Sequence, residues 1–87
     1  MAKVKEVTSF PDFKVQIVTS FPDLCVYVTT SEMEAKGSDS IWCFVTNFVE
    51  KKIQFVDHFP DVKIQYVTSK SSAGWKNKSH KLQNRIG

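Results

Sequence analysis

A phrase that recurs every eleven residues constrains this chain more than any other feature of its sequence. Aligned on their valines, the segments read KVKEVTSFPDF (3–13), KVQIVTSFPDL (14–24), CVYVTTSEMEA (25–35), IWCFVTNFVEK (41–51), KIQFVDHFPDV (52–62) and KIQYVTSKSSA (63–73). The insert KGSDS (36–40) separates them into two groups of three. So short a unit cannot enclose a core by itself, which predicts that several units share one core.

Apolar and polar residues alternate within each segment. The second position is apolar in all six segments: Val4, Val15, Val26, Trp42, Ile53 and Ile64. The fourth position is apolar in five of the six, namely Ile17, Val28, Phe44, Phe55 and Tyr66, and Glu6 is the exception. Alternation among β-branched and aromatic residues is typical of strands. We therefore expect the second and fourth positions to face a core.

The remainder of each segment has the composition of a turn. Serine and aspartate side chains bind nearby backbone groups, and proline removes a donor from a strand ladder. Strand pairing should therefore stop at FPD. We expect the phenylalanines of these turns, Phe10, Phe21 and Phe59, to fold back and fill the end of the core.

These patterns predict an all-β protein of six short strands, with three strands on each side of the insert. We favour a meander that closes into a small barrel or two facing sheets, because short hairpin connections are common and closure removes exposed edges. The alternative is a parallel β-roll of three turns, with two segments in each turn. At 87 residues the chain forms one β domain, over residues 1–73, followed by a C-terminal tail over residues 70–87.

Charge is divided unevenly between these two parts. Residues 70–87 contain five basic and no acidic residues, whereas the rest of the chain contains seven basic and nine acidic residues. A basic segment beside a tryptophan suits a polyanion or an acidic protein face. The alternative is a solvated tail in which Trp75 caps the barrel. The candidate binding residues are Trp75, Lys76, Asn77, Lys78, His80, Lys81 and Arg85.

Catalysis has one weak candidate, His80, whose imidazole and neighbouring cations resemble the parts of a metal-free ribonuclease. His58 lies in a turn and is expected in solvent. Cys25 and Cys43 belong to no CxxC pair, so we expect two buried thiols. No cofactor and no metal is predicted.

Localisation is predicted from what the sequence lacks. The chain contains no apolar run long enough to span a membrane, and MAKVKEVTSF does not resemble a secretory signal. We therefore expect a cytoplasmic protein.

Two separate motifs resemble those of a known family. Tandem VxSFPD units, an insert leading into IWCFV, and the ending SSAGWKNKSHK are similar to small uncharacterised bacterial β-repeat proteins, whose members carry DYESEAD-type spacers and a GWKNKS-type ending. The resemblance covers nearly the whole chain and implies a small β protein in a bacterium. It implies no activity.

The sequence thus favours a non-enzymatic module that binds another macromolecule, most simply a protein, as a bacterial immunity or accessory factor would. The alternatives are nucleic-acid binding through the basic tail and a small nuclease-like toxin. No membrane partner is predicted, and the oligomeric state is open.

Overall fold

The structure is a computed structural model that describes residues 3–35 and 38–86, so Lys36 and Gly37 of the insert lie outside the described residues. Its strands are β1 (Lys3–Glu6), β2 (Phe13–Ile17), β3 (Leu24–Val28), β4 (Ile41–Phe44), β5 (Lys51–Phe55), β6 (Val62–Val67) and β7 (Gly74–Trp75). One helical turn, α1 (Glu32–Ala35), follows β3, and a 3₁₀ turn (Lys70–Ser72) follows β6. Across the described residues, no helix has the length and apolar character needed to cross a membrane.

The first six strands form a closed barrel. Their order is β4-β1-β5-β2-β6-β3, and the pairing of β3 with β4 closes the ring. The prediction of six short strands closing into a small all-β barrel is confirmed. The expected meander is wrong in one respect, because all six pairings within the ring are parallel and only β7 runs antiparallel, beside β3. The strands of the second group lie between those of the first, which a three-turn roll would not produce.

The register explains how short loops can join parallel strands, which normally need crossovers of a dozen residues or more. Glu6, at the end of β1, and Phe13, at the start of β2, both lie opposite Ile53 of β5. β2 therefore begins at the level at which β1 ends, on the other side of β5. The chain advances around the barrel without returning to its starting level, so residues 7–12 suffice.

The second positions of the six segments form one closed layer inside the barrel. From Val4, moving to the next strand of the ring and two residues towards its carboxyl end leads to Ile53. Repeating this step leads to Val15, Ile64, Val26 and Trp42, and then back to Val4. All six side chains are fully buried. The prediction that this position faces the core is confirmed, and the regular shift places the second positions of the six segments at equivalent sites.

The fourth positions behave differently from the prediction. They form the next layer towards the carboxyl ends of the strands, where no further layer covers them. Ile17, Val28, Phe44 and Tyr66 are exposed, and only Phe55 packs partly against the core. Each strand contributes only four to six residues, so the barrel ends before this layer can be enclosed.

The amino ends of the strands are covered by the C-terminal segment, defined here as residues 70–86. Ile86 is fully buried in the core cluster, and Leu82 and Trp75 pack against it. Asp39, just before β4, accepts hydrogen bonds from the backbone amides of Asn84 and Ile86. This segment therefore completes the core at one end of the barrel.

Candidate functional site

Four loops cross the strand that lies between the two strands they connect. Residues 7–12, 18–23, 45–50 and 56–61 cross β5, β6, β1 and β2, respectively. In the first loop, the amides of Val7 and Asp12 donate to the carbonyls of Ile53 and Lys52. The other three loops make the equivalent pair of bonds with the strand beneath them. Each loop is thus attached at both ends to the barrel wall.

Side chains fix three of these loops further. In the loop over β2, Asp61 Oδ2 accepts from the Lys14 amide at 2.7 Å, and Gln16 Nε2 donates to the Asp57 carbonyl at 3.0 Å. The same pattern holds over β5 and β6, where Asp12 and Asp23 accept from Lys52 and Lys63, and Gln54 and Gln65 donate to the loops. The recurring Lys-x-Gln and FPD sequences are therefore the two halves of one attachment.

The tip of each crossing loop carries a phenylalanine that faces solvent. Phe10, Phe21, Phe48 and Phe59 are between 88% and 93% exposed. Each has a φ of 53–56°, in the left-handed region that bulky L-residues rarely adopt. The expectation that Phe10, Phe21 and Phe59 fill the end of the core is wrong, because the loop ends are bonded to the outside of the barrel and leave the tips no route inward.

The four phenylalanines lie over four consecutive strands. In ring order, Phe48 lies over β1, Phe10 over β5, Phe59 over β2 and Phe21 over β6. We call this set the phenylalanine arc. The two remaining strands are covered differently, β3 by β7 and the 3₁₀ turn and β4 by α1. Cys25 and Cys43, on these two strands, are the buried free thiols that the sequence predicts.

Trp75, the first predicted binding residue, is held by the fold itself. Its indole Nε1 donates to Asp39 Oδ2 at 2.9 Å, and it lies opposite Leu24 in the pairing of β7 with β3. Its ring stacks on that of His80, with centroids 5.1 Å apart. Trp75 therefore joins the insert, β3 and the C-terminal segment.

His80 is similarly engaged. Its Nδ1 accepts the Leu82 amide at 3.1 Å, and its Nε2 lies 3.8 Å from Asp23 Oδ2. Both ring nitrogens thus face groups of the chain, and the side chain is only 10% exposed. In this arrangement the imidazole orders the C-terminal segment.

The other predicted binding residues, Lys76, Asn77, Lys78, Lys81 and Arg85, are exposed. Lys81 Nζ lies 4.0 Å from Asp61, and Lys70 forms an ion pair with Glu34, so part of the basic charge is already paired. Lys76 and Asn77 contribute to a hollow of about 430 Å³, whose other walls are Phe21, Pro22 and Gln65. The structure thus brings two of the predicted residues to one end of the phenylalanine arc.

Few groups of the described chain have the features of a catalytic or metal centre. In residues 3–35 and 38–86, no three His, Cys, Asp or Glu side chains converge on a point where a metal could bind. The pKa of Tyr66 is perturbed: partial burial of its side chain, and then the negative charge of Glu6, raise the pKa of the phenol above its usual value of 10.0. Both residues belong to the exposed layer at the carboxyl end of the barrel.

A comparison with known protein families gives a match over most of the chain. Residues 1–76 match the model of a family described as the 7(1) septoil knot domain. The chain belongs to this family. The predicted membership of a family of small domains is confirmed. No curated protein matches the chain.

In this septoil knot domain, the second group of strands is inserted between the strands of the first group, so the chain passes around one barrel again. The match includes all four crossing loops of the arc and ends at Lys76. The phenylalanine arc was missed from sequence. The signal that could have found it is the recurrence of an aromatic residue inside a turn, where core packing does not require one.

Proposed function

We propose that this septoil knot domain is a non-enzymatic module that binds another protein through the phenylalanine arc. The observation that carries the proposal is the placement of four almost fully exposed phenylalanines at left-handed positions on consecutive loops. Each ring is at least 88% exposed, so the four rings are available as separate aromatic anchors on neighbouring loops, and aromatic residues are enriched in protein interfaces.

Stability alone gives no reason for phenylalanine at these positions. A left-handed conformation costs an L-residue about 1–2 kcal/mol, and glycine or asparagine would adopt it more easily. Phe10, Phe21 and Phe59 also precede prolines, which restricts their backbone further. Because the rings are not buried, no packing energy offsets this strain. Strained backbone with exposed aromatic side chains is typical of binding loops.

The charges around the arc favour a protein over a polyanion. The strands and loops that carry it present lysines such as Lys14, Lys52 and Lys63, and these alternate with Asp12, Asp57 and Asp61. Opposite charges thus lie side by side, without the excess of positive charge that phosphate binding requires. Aromatic groups set in a mixed charged rim are common in protein interfaces.

The nucleic-acid alternative depends on the C-terminal segment. Three of its basic residues, Lys76, Lys78 and Arg85, are exposed and belong to no ion pair among the residues that the structure describes. Three such charges can contact few phosphates, so they would give only weak binding to nucleic acid at physiological salt. The nuclease-like toxin is the third alternative, and it depends on His80. A bacterial setting is part of the proposal and is supported by the sequence resemblance alone, whereas a cytoplasmic immunity or accessory role rests on analogy alone.

Replacement of all four arc residues by asparagine tests the proposal, because asparagine tolerates the left-handed conformation. Wild type and this variant, both shown to be folded by NMR, are used to capture proteins from cell extract. Any protein retained only by wild type is then purified, and its affinity is measured by calorimetry. We expect the variant to bind this partner at least about tenfold more weakly than wild type does. A partner bound equally by both forms contradicts the proposal.

Two further measurements separate the alternatives. Labelled RNA that binds wild type and the arc variant equally, and is released by salt, would assign binding to the basic segment. Binding to phosphatidylcholine vesicles that disappears in the arc variant would assign the arc to a lipid surface. The protein-binding proposal predicts neither result.

A further inference from the structure

We propose that the hollow beside Phe21 binds the C-terminal residue of a partner chain, with an apolar side chain and a free carboxylate. This inference rests on the proposed protein-binding function and names the chemistry of one contact. The hollow has a volume of about 430 Å³ and is widely open to solvent, so it can hold one residue at the surface but does not enclose a ligand as a closed pocket does. It lies at the end of the phenylalanine arc, between the loop over β6 and the C-terminal segment.

Both walls of the hollow are fixed to one residue, Asp23. The Asp23 carbonyl accepts the amides of Lys76 at 2.8 Å and Asn77 at 3.0 Å. The Asp23 carboxylate accepts the Lys63 amide at 2.9 Å, which holds the loop carrying Phe21 against β6. The two walls therefore keep a fixed separation before a ligand arrives, and a preformed site loses less entropy on binding.

The lining offers one group for each part of a C-terminal residue. Lys76 supplies a positive charge for the carboxylate, and no acidic group among the described residues pairs with it. Asn77 Oδ1 already accepts the Ser79 amide and hydroxyl, which leaves Nδ2 as a second donor. Gln65 donates through Nε2 to Thr19, so its Oε1 is available to accept the amide of the ligand. Phe21 and Pro22 form an apolar wall.

A terminal residue fits this lining better than an internal acidic residue. In a terminal residue, the apolar side chain, the carboxylate and the amide all belong to one Cα, so the three groups fit one small hollow. An internal aspartate would need a neighbouring residue to supply the apolar side chain, and that pair would span a longer distance. Capture of a chain terminus is an established mode of peptide recognition.

The test is an NMR titration of the full chain with N-acetyl-L-phenylalanine and, as a matched neutral probe, N-acetyl-L-phenylalaninamide. We expect the acid to shift the amide signals of Phe21, Gln65, Lys76 and Asn77 and to bind about tenfold more tightly than the amide, because a charged hydrogen bond is lost. Lys76→Met should weaken the acid to the level of the amide. Lys5→Met removes one exposed lysine from β1, which does not line the hollow, so this matched control should leave binding unchanged.

Equal binding of acid and amide, or shifts confined to other residues, would overturn the inference. So would tighter binding of N-acetyl-aspartyl-phenylalaninamide, which would indicate an internal carboxylate. None of these results bears on capture through Phe10 and Phe59, which do not line the hollow. Failure of this contact is therefore distinguishable from failure of the proposed function.

Discussion

Asp12 and Lys52 bind each other through two hydrogen bonds of opposite direction. The Asp12 amide donates to the Lys52 carbonyl, and the Asp12 carboxylate accepts the Lys52 amide, each at 2.7 Å. The carboxylate thereby replaces the strand carbonyl that would otherwise pair with Lys52. Because the two residues are 40 positions apart, this contact fastens the first group of strands to the second.

Loss of the Asp12 carboxylate should weaken this attachment. We expect Asp12→Ala to lower the free energy of unfolding by about 1 kcal/mol, as the loss of a side chain that caps a backbone amide does. Asp12→Asn keeps an acceptor oxygen and should cost less. Urea denaturation measures both. The control is Asp57→Ala in another crossing loop, because the Asp57 carboxylate accepts no backbone amide among the residues that the structure describes. An equal loss of stability there would contradict this account.

The core of this fold could be predicted from sequence because it depends on local periodicity. The second position of each segment is apolar, and alternation alone directs it inward. The strand order could not be predicted, because Glu6 and Phe13 are brought together by Ile53, which lies 40 or more residues away. Pairing over such a distance leaves no pattern within a segment.

The candidate site could be predicted only in part. The basic composition of the C-terminal segment pointed to Lys76 and Asn77, which do line a hollow. Composition could not show that Ile86 is buried in the core, or that His80 stacks on Trp75. The exposure of the phenylalanines was missed, since an apolar residue in a turn is normally assumed to fold back into the core.

The strain at the arc predicts an unusual gain in stability. Phe59→Asn should raise the free energy of unfolding by about 0.5–1 kcal/mol, because asparagine tolerates a positive φ and the exposed ring contributes little packing. Thermal denaturation followed by circular dichroism measures the change. His58→Asn, an exposed residue in the same loop without a positive φ, should have almost no effect. A destabilised Phe59→Asn protein would show that the ring does contribute to the fold.

The C-terminal segment should be required for stability. Ile86→Ala removes fully buried methyl groups and should lower the free energy of unfolding by about 2–5 kcal/mol, a large share of what a domain of this size possesses. Chemical denaturation provides the measurement. Arg85→Ala is the matched control, because its side chain is exposed and next in sequence. Similar values for the two variants would mean that the segment is not part of the core in solution.

Tyr66 predicts how the barrel responds to alkaline pH. Burial and the charge of Glu6 disfavour the phenolate, so the folded protein holds this proton more tightly than the unfolded chain does. The stability that Tyr66 contributes through this tighter proton binding is fully present below the unfolded pKa of about 10. It is lost as the pH rises through the higher folded pKa. Tyr66→Phe should lose less stability than wild type over this range. Glu6→Gln should lower the pKa of Tyr66 in an absorbance titration of tyrosinate, and an unchanged titration would exclude Glu6 as a cause.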